Sequence, residues 1–343
     1  MSLLRGALVS SGMLGDRIFD LADPGNRDDA YLPYVKLRDA FLARGVELHT
    51  PDVLQARGVV ADFELHLNAR RALRHPASYV LLLETPHIKP INGDRAHLER
   101  YRKVFTWRED WQDGQRFLPI AFPNTVVLPE LDGLAARDRF ACLIAGNKSI
   151  GRDDGRGLYG ERVRTIRWFE SHKPEDFDLF GPGWDRPASA KGMRGRALRW
   201  LTAVGNRVRG VPAFPSWRGL ARSKREVMRR TRFAICYENV RDFPGYITEK
   251  MFDCFFAGCV PVYWGPLDIG NTIPMACFVD RRQFASHEAL WSHLAGIGEE
   301  EYLRMQAAMR EFLGSEAVRP FTDECFAVSV ATAISEDLAI IRR

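Results

Sequence analysis

Short apolar runs alternate along the chain with longer stretches whose apolar residues recur at helical spacing. That alternation predicts βα units feeding parallel sheets. Residues 5–10 (RGALVS), 46–49, 63–67, 79–83 and 104–107 read as strands. Residues 28–44 read as a helix, with Tyr31, Tyr34, Val35, Leu37 and Phe41 near one face and Gly45 as its stop. Residues 69–74 look helical between two strands, and the Pro- and Gly-punctuated 119–134 reads as a linker. A second alternation follows. Residues 140–145, 177–180, 233–237, 260–264 and 278–279 read as strands, and 159–171, 222–230, 287–297 and 299–313 as helices. Residues 326–341 form a closing amphipathic helix.

The densest unit is 231–280. An apolar strand ends in Glu238-Asn239, a loop with Pro and Gly follows, and Thr248 stands as N-cap of a helix reaching about Ala257, with Gly258 at its end. The polar residues therefore collect at the carboxyl end of a strand and the amino end of a helix. In open α/β sheets, phosphorylated ligands bind at that edge, where free N–H groups and the helix dipole point.

Length adds a division. The chain's 343 residues exceed one typical core and predict two Rossmann-like domains, 1–135 and 136–320, with a terminal helix at 321–343. Hydrophobic content of 46% and charged content of 27% are ordinary for a globular protein. No apolar run approaches the ~20 residues of a membrane span, and the N-terminal run is short for a signal peptide. The six cysteines sit mostly in apolar runs, with no CxxC pair and no Cys/His cluster. They read as reduced core residues of a cytoplasmic protein without structural zinc. A net charge of +5 is mild and gives no ground for a nucleic-acid partner.

The segment 185–210 departs from this average. It sets Arg186, Lys191, Arg194, Arg196, Arg199, Arg207 and Arg209 against the single acid Asp185, interleaved with Met193, Ala197, Leu198, Trp200, Leu201 and Val204. Two readings stand: a solvated insertion packing on its own domain, or a basic amphipathic helix on an anionic membrane surface.

Tyr237-Glu238-Asn239, then Gly245-Tyr246-Ile247-Thr248-Glu249-Lys250, then Ala257-Gly258-Cys259-Val260-Pro261-Val262-Tyr263-Trp264-Gly265, resembles the signature of the α-1,3/1,4-fucosyltransferases, glycosyltransferase family 10. Trp217-Arg218-Gly219 with Lys224, Asp178 to Trp184, Asn147 with Arg162, and Leu83-Glu84-Thr85-Pro86 are similar to further family segments. The resemblance implies a GT-B fold: two Rossmann-like domains facing a cleft, with a C-terminal helix packing back across. It implies inverting transfer of L-fucose from GDP-fucose to a sugar hydroxyl, giving an α-linked product. The donor would belong to the C-terminal half and the acceptor, a glycan or glycolipid such as a lipopolysaccharide intermediate, to the N-terminal half.

Such a reaction needs a base for the acceptor hydroxyl and positive charge for the departing diphosphate. Lys250 in the first helical turn suits the diphosphate, with Arg162, or its neighbour Arg164, as a second cation. Glu249 suits ribose or fucose hydroxyls, and Tyr246 the fucose or phosphate. Asn239 either contacts the donor or holds the loop backbone, and Glu238 either orients the loop or touches donor hydroxyls. Thr248 and Lys224 complete the expected donor set. Glu84, ending an apolar strand, is the candidate base, with Glu109 and Asp110 as competitors. Asp176-Phe177-Asp178 and Asp153-Asp154 are acidic, but Asp178 begins a strand, the wrong end for a metal–diphosphate site. No metal or cofactor is expected beyond the GDP-fucose substrate. Two alternatives remain: a catalytically silent GDP-sugar or glycan-binding protein, and the same fold using another GDP-sugar. In the leading reading the protein is cytoplasmic, peripheral on the inner membrane face.

Overall fold

The computed structural model describes residues 3–151, 154–189 and 192–342. Asp153 and Lys191 lie outside the described residues, as do the side chains of Met193, Arg194, Arg196, Leu198 and Arg209. The chain divides into two compact units. The first comprises Met1–Val126, Pro244–Tyr246 and Glu316–Arg343, and the second comprises Val127–Phe243 and Ile247–Ser315. The terminal helix thus counts with the first unit.

Among the described residues, the first unit holds a parallel sheet of β1 (Leu4–Val9), β2 (Val46–His49), β3 (Phe63–Leu67), β4 (Ser78–Leu82), β5 (Lys103–Thr106) and β6 (Phe117–Pro119). The order is β2-β1-β3-β4-β5-β6. Helices α1 (Leu32–Leu42), α2 (Pro51–Ala56) and α3 (Arg95–Leu98) connect them. The second unit holds β7 (Arg139–Ile144), β8 (Phe177–Phe180), β9 (Thr231–Ile235), β10 (Val260–Tyr263) and β11 (Val279–Asp280). Their order is β11-β10-β9-β7-β8, again all parallel. Its helices are α4 (Tyr159–His172), α5 (Gly192–Arg209), α6 (Lys224–Arg229), α7 (Glu249–Phe256), α8 (His287–Gly296) and α9 (Glu299–Gly314), and α10 (Asp323–Ile341) returns to the first unit.

One core of the first unit is closed by residues far apart in sequence. Leu37 and Phe41 of α1, and Phe326, Val330, Ile334 and Leu338 of α10, cover Leu8, Phe63 and Tyr79 of the sheet. Buried apolar faces of this kind are what hold short parallel strands together. Asp337 faces the same core. Its carboxylate accepts from the Tyr79 hydroxyl at 2.6 Å and from Arg102 at 2.5 and 3.0 Å, so the buried charge is paired.

Three expectations change. Residues 69–74 are irregular, not helical. Asn68 takes a left-handed φ of 63°. Ala69 N–H donates to Asn92 and Arg70 N–H to the Tyr101 hydroxyl, both at 3.0 Å. These long-range bonds take donors that a helix would turn inward. The helix expected from residue 28 begins at Leu32, because Asp28 and Asp29 have φ of 49° and 58°. Strand β6 is not among the expected strands, and its last residue, Pro119, is the first of the stretch expected as a linker. Elsewhere one glycine is required by close approach. At Gly181, with φ +125°, a Cβ would sit 2.1 Å from the Ala145 carbonyl oxygen. Of the cysteines, five are buried and Cys325 is half-buried, and none is in a disulfide.

Ile334 is fully buried in the α10 contact. Ile334→Ala is expected to cost about 2–5 kcal/mol by loss of contact and cavity formation. Urea unfolding checks this, and an unchanged midpoint would remove α10 from the core.

Candidate donor site in the second unit

The second sheet reverses direction between β7 and β9. From β7 the order runs to β8 on one side and through β9, β10 and β11 on the other. The crevice at the carboxyl ends of such strands is where open α/β sheets take ligands. The chain leaving β9 places Glu238 there, held by its N–H to the Trp264 carbonyl at 2.8 Å.

Glu238 has no solvent exposure. One carboxylate oxygen accepts from Thr248 N–H at 2.9 Å, the Thr248 hydroxyl at 3.1 Å and the Tyr263 hydroxyl at 3.1 Å. The other accepts from the Thr248 hydroxyl at 2.8 Å and from Lys250 Nζ at 3.1 Å. With these contacts Glu238 ties the loop after β9 to the start of α7 and to β10. Thr248 precedes α7 in extended conformation, but its side chain does not cap the helix. Its hydroxyl serves Glu238, and it accepts from Lys250 Nζ at 2.8 Å. Glu249 stands 3.7 Å from the same ammonium. Burial works against the Lys250 charge, yet Glu238 and Glu249 outweigh it and raise its pKa above the ordinary value. Burial likewise opposes the Glu249 charge, and Lys250 and Lys224 outweigh it, lowering that pKa. Lys224 itself pairs with Asp253 at 2.8 Å, on the face of α7 one turn beyond Glu249.

Arg162, on α4, is buried. It donates to the Tyr237 carbonyl at 2.6 Å and to Asn239 Oδ1 at 3.1 Å, so it clamps the loop after β9 and orients Asn239. It also lies near enough to Lys250 to lower that group's pKa. Arg164 pairs instead with Glu161 at 2.6 Å. Asn147 ties the turn after β8, donating to Gly183 at 2.8 Å and accepting from Ser189 N–H at 2.6 Å. Thus Arg162, Glu238, Asn239, Thr248, Glu249 and Lys250 converge, with Lys224 at the flank. Tyr246 counts with the first unit. It is buried with its ring 4.8 Å from Trp107 and 6.1 Å from Phe122. Beside it, a Cβ on Gly245 would lie 2.2 Å from the Trp107 carbonyl oxygen.

Glu84 follows β4 in the first unit, and its backbone is fixed from both sides. Asn68 Oδ1 accepts from Glu84 N–H at 2.8 Å, and Asn92 donates to the Glu84 carbonyl at 2.7 Å. Asp110 pairs with Arg108. Asp178 accepts from Arg139 at 2.6 Å and Arg218 at 2.8 Å, and Asp176 accepts from Trp291 at 2.9 Å. The acidic triplet is therefore engaged by protein cations and an indole.

A neighbouring cluster escaped the sequence. Glu161 accepts from Arg281 and His287, each at 3.2 Å. Burial pushes its carboxyl up, but His287, Arg164 and Arg281 together hold it at about 2. Its partners lie across the unit, so spacing gave no signal. Tyr263, by contrast, sat inside the quoted Val-Pro-Val-Tyr run.

The C-terminal domain model of glycosyltransferase family 10 (fucosyltransferase) matches residues 208–308. The match spans under a third of the chain, and the similarity to family 10 is confined to that share. The chain is 30% identical over 67 residues to an α-(1,3)-fucosyltransferase of Helicobacter pylori, covering 20% of this chain and 14% of that protein. It is 27% identical over 73 residues to an α-(1,4)-fucosyltransferase of Arabidopsis thaliana, covering 21% of this chain and 18% of that one. Among solved structures, an α1,3-fucosyltransferase with GDP aligns at a TM-score of 0.51 and 13% identity, over 98% of this chain and 89% of that one. A sucrose-phosphate synthase from Thermosynechococcus elongatus aligns at 0.57 and 13% identity, over 98% of this chain and all of that one (100%). The fold is α/β of GT-B type.

Because the folded pKa of Glu161 lies below its ordinary 4.5, its stabilisation is present above about 4.5 and is lost as pH falls toward about 2. Glu161→Gln is expected to lose about 2–3 kcal/mol at pH 7, with the gap to wild type closing across that acid window. Denaturant unfolding at stepped pH checks it; a gap that persists at pH about 2 would contradict the assignment.

Proposed function

We propose that this protein transfers L-fucose from GDP-fucose to a hydroxyl of a glycan or glycolipid acceptor, with inversion at C1. The observation that carries the reading is the Lys250 ammonium, held at the head of α7 by the buried Glu238 inside the family-matched segment. An ammonium offers three donors, and two of them meet Glu238 and Thr248. Its raised pKa keeps it charged at neutral pH, as a cation receiving a diphosphate must be. Arg162 adds positive field, and Glu249 supplies a carboxylate for sugar hydroxyls. In the first unit, Glu84 takes the proton of the acceptor hydroxyl as that oxygen attacks C1. The C1–O bond to the diphosphate breaks, and its electron pair leaves with GDP. Asp176 and Asp178 are held by Trp291, Arg139 and Arg218, which supports a reaction in which protein cations, not a metal, meet the leaving group.

The acceptor is read as lipid-linked, as in lipopolysaccharide assembly, with the protein peripheral on the inner membrane face. Helix α5 supports this. It carries no acid, and Trp200, Leu201 and Val204 are 65%, 59% and 42% exposed. A basic helix that leaves such residues in water suits an anionic lipid surface better than packing on its own domain. No helix among the described residues is long and apolar enough to cross a membrane.

Release of GDP from GDP-fucose, with galactosyl and N-acetylglucosaminyl acceptors, tests the activity. GDP binding without turnover would favour a silent binding protein, and turnover of another GDP-sugar would change the donor. Glu84→Gln is expected to lower turnover about 10²–10⁴-fold while GDP affinity stays within about twofold. Lys250→Ala is expected to weaken GDP binding about tenfold or more, read by calorimetry. Liposome flotation tests α5: anionic vesicles should carry the protein and neutral ones should not, and equal recovery sinks the membrane reading.

A further inference from the structure

Resting on the acceptor role proposed for the first unit, we infer that its crevice recognises an oxyanion, carboxylate or phosphate, carried by the acceptor sugar. The first sheet has its own reversal. From β1 the order runs to β2 on one side and to β3 and β4 on the other, so the crevice lies between the carboxyl ends of β1 and β3. Ser10 and Ser11 leave β1 there, Asn68 to Arg70 leave β3, and Glu84 to Lys89 leave β4, the next strand over.

Two donors of this crevice are buried without a hydrogen-bond partner. Arg70 reaches Ser11 Oγ at 3.4 Å, but its Nε is buried without a hydrogen-bond partner, and so is the Ser10 hydroxyl. A buried donor without a partner calls for an explanation, and at a sheet's crevice a bound oxyanion supplies one. Among the described residues neither Arg70 nor Lys89 forms an ion pair. The two cations are close enough to act on each other. Burial and then Arg70 lower the Lys89 pKa, while Glu84 works in the opposite sense. A guanidinium beside an ammonium, with a serine hydroxyl between strands, suits the several lone pairs of one oxyanion.

The guanidinium is also presented on a fixed loop. Arg70 N–H donates to the Tyr101 hydroxyl at 3.0 Å, His97 Nε2 donates to the Arg70 carbonyl at 2.8 Å, and Ala69 N–H donates to Asn92 at 3.0 Å. A site ordered beforehand loses little freedom when it binds. Glu84, which shares this edge, is what makes the charge matter: an anion seated on Arg70 and Lys89 anchors the acceptor beside the proposed base.

The test uses the full chain with its donor site saturated by GDP. Methyl glucuronide, galactose 6-phosphate and neutral methyl galactoside are titrated by saturation-transfer NMR. At least one charged sugar should bind about tenfold or more tightly than the neutral one, with the preference shrinking as salt is raised. The carboxylate and phosphate arms show which oxyanion the site takes. The double variant Arg70→Ala, Lys89→Ala should bring charged and neutral sugars to parity, while Arg70→Lys, which keeps the charge, should retain part of the preference. Failure of both charged sugars to bind, equal binding of charged and neutral sugars, or a preference unchanged in the double variant overturns the inference. GDP release is read in parallel. Turnover without a charge preference removes the anion site alone. A preference without turnover on any acceptor removes the transferase reading and leaves the anion site standing.

Discussion

A carboxylate with no access to water terminates the path out of β9, and the second unit is arranged around satisfying it. An unpaired charge at that depth costs several kcal/mol. Glu238 therefore requires Thr248, Tyr263 and Lys250 together, which means that β9, β10 and the start of α7 must be in register at once. Removing one partner strands the others. The same requirement explains why Lys250, whose burial disfavours its charge, stays an ammonium. The cation is stabilised by the fold itself, and the direction of its remaining donor is set by Glu238 and Thr248. Arg162 fixes the loop from the other side, through the Tyr237 carbonyl and Asn239.

Much of this frame was legible in the chain. Strands 46–49, 63–67 and 177–180 are observed at the expected bounds, and α7 starts directly after Thr248. Apolar runs ended by Gly or Pro are local signals, and local signals survive folding. What was not legible depends on partners distant in sequence. Thr248 reads as a helix cap, and only the approach of Glu238 turns its hydroxyl elsewhere. Glu161 reads as a helix-surface acid until Arg281 and His287 come to it from beyond β11. Arg164 is different: its partner Glu161 lies one helical turn away, a local pair that the i,i+3 spacing already offered.

Residues 69–74 show the same competition at the level of the backbone. Their composition suits a helix, and propensity differences are a fraction of a kcal/mol per residue. Asn68, Asn92 and Tyr101 instead offer hydrogen bonds to Leu83, Glu84, Ala69 and Arg70, several at once and all near 3 Å. Several buried bonds outweigh a weak local preference. The loop that results is the one that brings a guanidinium to the end of β3, so the lost helix and the presented Arg70 have one cause.

The family match at 208–308 falls almost wholly within the second unit, which limits what likeness can say of the first. There the chemistry has to be read from the sheet itself. Both sheets reverse direction once, and both place charged side chains at the reversal. They resolve that charge differently. In the second unit the cations Lys250 and Arg162 are tied to protein acceptors, with Glu238 wholly buried beneath them. In the first, Arg70 and Lys89 stand without ion pairs among the described residues, and a guanidinium nitrogen and a serine hydroxyl are buried with nothing to bond. A folded chain tolerates such unsatisfied donors only where something else compensates. A cation held by protein acceptors presents a directed donor to its ligand, whereas a pair of cations without protein acceptors selects for a ligand that carries the missing charge. On that contrast the anion reading of the first unit rests on charge without a protein partner, and the diphosphate reading of the second on the direction in which its cation is held.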